Sequence, residues 1–285
     1  MGWTLTTSPD DFRAAAGEFL AADPVANTVL LTILDRLTRD GLHAYGAQPP
    51  RFGWWQGPDG EVAGTCVRTP PWGQRLGPMP VAAAEELART LAAGDAADHP
   101  DTVAGDHDTA LAFAAEWHRA TGVDWHLERS ERLYRLGELT PPTVPPAGRF
   151  RLAGPADRET VARWLVDFCV EAEILPPADP AADAEQRIAA EVLLLWETED
   201  GRAVSLAGAS PAVAGMSRIG PVYTPPADRG HGYASALTAA ATRHAQSRGA
   251  AEVLLYTDLA NPVSNAIYPR LGYRPVTDAA EVAFK

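Results

Sequence analysis

The sequence predicts an α/β protein built from two similar halves. Three observations carry that reading. A proline-rich break, Thr140-Pro-Pro-Thr-Val-Pro-Pro-Ala-Gly148, divides the chain of 285 residues near its middle, and its four prolines favour an extended, solvated linker. The second half alternates apolar, strand-like runs with segments of helical spacing. The first half repeats the same order with weaker signals.

In the second half, residues 150–153 are a strand candidate. Residues 157–173 follow with Val161, Leu165 and Phe168 at helical spacing. After a Pro-rich loop at 175–180, residues 184–191 form a short helix. Three strands come next, at 192–196, 203–210 and 216–223, with Glu199-Asp-Gly201 as a hairpin turn between the first two. A helix over about 232–248 stops at Gly249, because glycine adopts the left-handed conformation that ends a helix. Residues 252–257 make a buried strand, 262–271 a short helix that stops before Gly272, and a last strand closes the chain near Val282.

The first half is read the same way. Helices are expected at 10–21 and 25–39. Strands at 52–56 and 62–68 flank Gly57-Pro-Asp-Gly60, a second hairpin turn. A third strand at 74–79, a helix at 81–93, a strand at 103–104 and a helix at 108–120 complete the series. The shared order reads as duplication of one α/β unit. The expected domains are residues 1–139, a linker at 140–148, and residues 149–285.

Composition narrows the function. Hydrophobic residues make up 46% of the chain, enough for a sizeable core. The formal net charge of −13 is unsuited to tracking a nucleic-acid backbone, where phosphate contacts supply most of the affinity. Lys285 is the only lysine, so arginine carries the positive charge and suits planar, bidentate contacts. Cys66 and Cys169 lie far apart with no Cys/His cluster, so two buried thiols are expected and no metal site. No apolar run approaches the ~20 residues of a membrane span, and the N-terminus has no leader pattern. A soluble, cytoplasmic protein with no membrane partner is the expectation.

The chemistry lies around Arg229-Gly-His-Gly-Tyr-Ala-Ser235, between a strand and a helix. A first helical turn has unpaired N–H groups and the positive end of a dipole. Gly230 and Gly232 let the backbone approach an anion, so the turn suits a pyrophosphate. Read alone, a Gly-x-Gly favours an ordinary Gly-rich connection between strand and helix. It is not a dinucleotide fingerprint, because the third glycine and the distal acid are missing.

One helix and one strand later comes Asp258-Leu-Ala-Asn-Pro-Val-Ser-Asn-Ala-Ile-Tyr-Pro-Arg-Leu-Gly-Tyr273. Together the two segments resemble the GCN5-related N-acetyltransferase (GNAT) superfamily. The family's phosphate motif, Arg/Gln-x-x-Gly-x-Gly/Ala, is matched by Arg229, Gly232 and Ala234. Its second motif, an Asn seven residues before a Tyr and then Leu/Ile-Gly-Phe/Tyr, is matched by Asn261, Tyr268 and Leu271-Gly-Tyr273. The wording looks like a subgroup of predicted acetyltransferases with a degenerate N-terminal GNAT-like half. The resemblance implies tandem GNAT-like halves, each a mixed, mostly antiparallel sheet flanked by helices.

It also implies roles. Val222, Tyr223 and Thr224 would end the strand that pairs with the pantetheine arm of acetyl-CoA or another acyl-CoA. The coenzyme site would continue through Arg229, Gly230, His231, Gly232, Tyr233, Ala234 and Ser235, with N–H groups of the turn on the pyrophosphate. Asn261 would bond near the pantetheine, and Tyr268 would protonate or hydrogen-bond the departing thiolate. For the general base, Glu171, Glu173 and Asp258 remain alternatives. The expected activity is N-acyl transfer to the amine of a small molecule by direct attack in a ternary complex. No Cys or Ser is placed to serve as a nucleophile. The rivals are a non-catalytic acyl-CoA sensor, and an acyltransferase fed by an aminoacyl-tRNA or a carrier protein. The chain would act as a monomer or homodimer. The first half has Gly77-Pro-Met-Pro80 where a phosphate turn would fall, and its prolines lack donors, so that half is expected to bind no coenzyme.

Overall fold

A computed structural model describes residues 2–285. Its contacts divide the chain into two compact units. The first takes residues up to Leu133 together with Asp258–Ala260 and Val276–Lys285. The second takes Tyr134–Thr257 and Asn261–Pro275.

Along the chain the elements are β1 (Gly2–Thr6), α1 (Pro9–Ala22), α2 (Thr28–Asp40), β2 (Arg51–Gln56), β3 (Val62–Arg68) and β4 (Gln74–Leu76). Then come α3 (Val81–Ala92), β5 (Thr102–Asp106), α4 (His107–Thr121) and β6 (Trp125–Leu136). The same series follows again: β7 (Arg149–Leu152), α5 (Arg158–Glu171), α6 (Pro180–Ala189), β8 (Leu193–Glu197), β9 (Ala203–Ala209) and β10 (Met216–Tyr223). It ends with α7 (Tyr233–Ser247), β11 (Glu252–Asp258), α8 (Pro262–Arg270) and β12 (Tyr273–Phe284).

In the first unit the strands run β1-β2-β3-β4-β5-β12. Only β4 and β5 pair in parallel there, at Gln74↔Val103 and Arg75↔Ala104. Phe52 and Val67 pack under α1 and α2 with Phe12, Leu20, Leu30 and Leu34. Cys66, Leu76, Val103 and Val282 take the opposite face with Leu87, Phe113 and Trp117. The helix starts follow the sequence. Ser8 Oγ accepts from the Asp11 N–H at 3.1 Å ahead of α1, and Asp106 does the same for Asp108 at 3.2 Å ahead of α4.

In the second unit the order is β11-β10-β9-β8-β7, again with one parallel pair, β10 and β11. The run Leu193-Leu-Leu-Trp196 is apolar throughout because both faces are covered. Leu193 and Leu195 meet α5 and α6 through Val161, Leu165 and Ile188. Leu194 and Trp196 meet α7 through Leu237 and Ala241. Each unit is thus a mixed, mostly antiparallel sheet with helices on both faces.

Several expectations shift. Neither β1 nor β6 was anticipated. β6 is rich in charge, and its arginines are matched: Arg132 grips Asp278 at 2.6 and 2.8 Å, and Arg135 donates to Glu252 at 2.7 Å. α6 begins four residues early, because Asp179 caps the N–H groups of Ala181 and Ala182 and Pro180 fits the first helical position. β4 stops at Leu76 because Pro78 and Pro80 offer no N–H to a ladder.

The Pro-rich segment groups with the second unit. The Thr140 N–H donates to the Leu271 carbonyl at 3.0 Å, and the Trp196 indole donates to the Ala147 carbonyl at 3.1 Å. Val144 between them is 85% exposed. The chain's last residues group with the first unit instead. There β12 pairs antiparallel with β5 from Ala279↔Asp106 to Ala283↔Thr102, and Thr277 Oγ1 donates to Asp106 at 2.7 Å. Contacts therefore divide the chain differently from a cut at residues 140–148. Cys66 and Cys169 are free, buried thiols, and burial pushes both up. Among the described residues no helix is long and apolar enough to cross a membrane.

Candidate coenzyme site in the second unit

The parallel pair opens part-way along. β10 and β11 pair only at Met216↔Glu252, Ser217↔Val253 and Arg218↔Leu254. From Ile219 to Tyr223, β10 keeps β9 on one side and, among the described residues, has no strand partner on the other. On the β9 side the register slips by one residue between Ile219 and Val222, around Gly220-Pro221. A bulge of this kind bends and twists a strand.

Gly208 sits opposite that bulge. A Cβ placed there would lie 2.4 Å from the Gly220 carbonyl oxygen, so backbone would have to move. Gly208→Ala should therefore cost about 1–3 kcal/mol of overpacking. Denaturant unfolding would register the cost as a lower midpoint, and an unchanged midpoint would show that the bulge is free to adapt.

Beyond Tyr223 the chain is fastened at several points before it enters α7. Ser205 Oγ bonds the Tyr223 carbonyl at 3.1 Å and Thr224 Oγ1 at 2.8 Å. A short 3-10 turn, Pro226–Asp228, follows, and Arg202 donates to Asp228 at 2.8 Å. Arg229 Nε donates to the Thr224 carbonyl at 2.9 Å, and its Nη2 donates to both Glu171 oxygens at 2.7 and 2.5 Å.

The glycines then set the turn. Gly230 and Gly232 have φ of +84° and +82°, the left-handed region that favours glycine. A Cβ at either would meet nothing within 4 Å. Their need is therefore conformational rather than steric. Gly232 occupies the position before α7 and offers no side chain to cap it. The first bond into the helix runs from the Ala236 N–H to the Gly232 carbonyl at 3.1 Å. Among the described residues no side chain caps the start of α7, so N–H groups of its first turn are open to a ligand. Such donors at the positive end of a helix make a receptacle for an anion. His231 is exposed, with its ring 5.6 Å from that of the half-buried Tyr233.

Tyr268 is 7% exposed and lies on α8 among aromatics, 6.2 Å from the Tyr134 ring and 6.1 Å from Tyr273. Burial raises this phenol above its ordinary range, with the nearby Ser264 side chain opposing in part, so it stays protonated throughout the neutral range. Asn261 serves as the cap of α8, its Oδ1 accepting from the Ser264 N–H at 3.1 Å.

The three carboxylates proposed as bases fall in different settings. Glu171, at the end of α5, is engaged by Arg229. Glu173, two residues on, has φ of +53°, a left-handed conformation at the helix exit that is uncommon outside glycine. Asp258, at the end of β11, belongs by its contacts to the first unit and accepts from the Ala260 N–H at 2.7 Å.

Beside the turn, Arg163, Trp164, Asp167, Tyr223, Pro225 and Asp228 help to line a cavity of about 460 Å³. Tyr223 and Trp164 lie 6.3 Å apart, and burial raises the Tyr223 phenol, with Glu171 and Asp167 adding to the effect. The sequence reading missed Arg202, Ser205 and Asp228 as supports of the turn. They come from a hairpin end and a pre-helical loop, where polar residues are usual, so no local signal marks them. Among the described residues no group of three or more His, Cys, Asp or Glu could hold a metal ion.

In the first unit, β4 ends at Leu76, and α3 begins behind Pro80 after four intervening residues. No counterpart of the glycine turn separates them.

A parallel strand pair opens beside an anion-receiving helix start, and known acetyltransferases of the GNAT family are similar to the chain in a segment or in fold. Residues 159–273 match the family model "Acetyltransferase (GNAT) family". A mycothiol acetyltransferase of Catenulispora acidiphila is 39% identical over 62 residues, which span 21% of this chain and 20% of that protein. The chain thus matches about a fifth of that curated relative's length. A GNAT-family acetyltransferase from Colwellia psychrerythraea superposes with a TM-score of 0.61 at 11% identity, covering 100% of this chain and 99% of that one. A tandem GNAT protein from the clavulanic acid biosynthesis pathway gives 0.52 at 13% identity, covering 99% and 98%. Residues 159–273 thus match the GNAT family model, and the chain as a whole has a tandem GNAT fold.

Proposed function

We propose that the protein is an acyl-CoA-dependent N-acyltransferase that moves acetyl from acetyl-CoA to the amine of a small molecule. The observation that carries this reading is the uncapped start of α7 behind the Gly230–Gly232 turn, beside the open edge of β10. The pyrophosphate takes the N–H groups, and the pantetheine amides take the strand edge left by β11. The thioester then lies between the open strands, where an amine attacks it directly. Tyr268 donates a hydrogen bond to the departing thiolate. Its raised phenol makes it a persistent donor rather than a strong acid. The first unit, which lacks the turn, supplies no coenzyme site in this scheme.

The mycothiol acetyltransferase match, over 62 residues, adds that relative's own acceptor to the amines worth trying. A second reading, a coenzyme-binding protein without turnover, is favoured by the burial of Tyr268, which holds its phenol in the neutral form. Both readings are tested by calorimetric titration with acetyl-CoA and by thiol release across a panel of amines. Acetyl-CoA binding with amine-dependent thiol release supports the enzyme. Binding without release from any amine supports the second reading, and no binding refutes both.

A further inference from the structure

We propose that Glu171 is a positioning residue for the coenzyme site, acting through Arg229, and that the Arg229 side chain is a strut of the phosphate turn rather than a ligand of the phosphates. This rests on the acyl-CoA reading above. The geometry is specific. The Arg229 guanidinium has two directions committed: Nε to the Thr224 carbonyl at 2.9 Å, Nη2 to the Glu171 carboxylate at 2.7 and 2.5 Å. The first bond closes the loop between residues 224 and 229 upon itself. The second ties that loop to the C-terminal end of α5. The same carboxylate lies close enough to Tyr223, at the end of β10, to raise its phenol.

The charge balance points the same way. A carboxylate beside a phosphate site repels the ligand unless a cation neutralises it. Paired with Arg229, Glu171 leaves the turn near neutral on that side, and the backbone N–H groups of residues 230–235 carry the anion. The Glu171–Arg229 pair is partly exposed, at 43% and 49% for the two side chains, so its contribution is modest. Its effect is to fix where the first of those N–H groups points. Binding at the turn is thereby coupled to α5, which also bears Trp164 and Asp167 in the neighbouring cavity.

The sign of one substitution decides the matter. In the strut arrangement, Glu171→Gln loosens Arg229 and weakens acetyl-CoA, raising its Kd and KM about two- to fivefold, with the loss in KM and not in kcat. Arg229→Gln should cost a similar factor, and the double variant no more than either alone, because both remove one interaction. If Arg229 instead binds the phosphates, Glu171→Gln frees a cation and removes an anion, and the coenzyme binds more tightly. That outcome overturns the proposal, as does an additive double variant. If Glu171 is the general base, kcat falls with Kd unchanged and the acidic limb of the pH profile is lost, which also overturns it. A parent protein that binds no acetyl-CoA would refute the acyl-CoA reading itself, a result distinct from any of these.

Discussion

Replacing Gly232 with Val should abolish measurable acetyl-CoA binding while leaving the protein folded. Gly232 has φ of +82°, which a β-branched residue adopts at a cost of about 1–3 kcal/mol. The turn has no compensating restraint at that point, since nothing lies within 4 Å of a Cβ there. The backbone will relax toward negative φ, and the N–H groups of Gly232, Tyr233 and Ala234 will swing away from a common focus. Hydrogen bonds from donors to a charged acceptor are worth about 1.5–3 kcal/mol each. Loss of two of them is at least about 3 kcal/mol, or more than 100-fold in Kd. Calorimetry is the readout, with far-UV circular dichroism to confirm the fold. Gly232→Ala should fall between the parent and the Val variant. Undiminished affinity in the Val variant would remove the turn from the coenzyme site.

The second large effect is expected at Tyr268. Tyr268→Phe should lower kcat by about 100-fold, the lower end of the range for a positioned proton donor, with acetyl-CoA affinity kept within about twofold. The fold should survive, because phenylalanine keeps the ring packed beside Tyr134 and Tyr273. The pH behaviour follows from the same burial. The folded phenol titrates above its unfolded value, so the neutral form's contribution to stability is complete below about pH 10 and is lost as pH rises through the folded value. Tyr273, also raised by burial, adds to the same alkaline loss. In the parent enzyme, a kcat limb in the neutral range therefore belongs to some other group. If Tyr268→Phe abolished that limb, or left kcat intact, the donor role would be wrong.

Much of the site was legible because its parts are local in sequence. The glycines at 230 and 232 declare a left-handed turn before a helix, and such a turn leaves N–H groups exposed whatever surrounds it. The spacing of Asn261 and Tyr268 is likewise set within one short helix. The supports of the turn were not legible. Glu171 and Arg229 are far apart in sequence, as are Arg202 and Asp228, and nothing in either segment names its partner. Glu171 looked like a possible base because it is an acid at a helix end. Its contact with Arg229 appears only once α5 is laid across the sheet.

The same division holds for the fold. The sequence by itself determined the two α/β series, the hairpins at Gly60 and Gly201 and the start of α7. Each depends on periodicity or on residues whose backbone preference is strong in any context. Tertiary structure alone decided that the paired strands β10 and β11 part after Arg218 and Leu254. It alone assigned β6, whose charge-rich pattern hides a strand until Arg132 meets Asp278 and Arg135 meets Glu252. It alone gave the residues from Val276 onward to the first unit, by pairing β12 with β5. The physical reason is common to all three. Strand pairing joins residues distant in sequence through backbone groups that every residue carries, so the choice of partner is settled by the packed sheet and not by the segment.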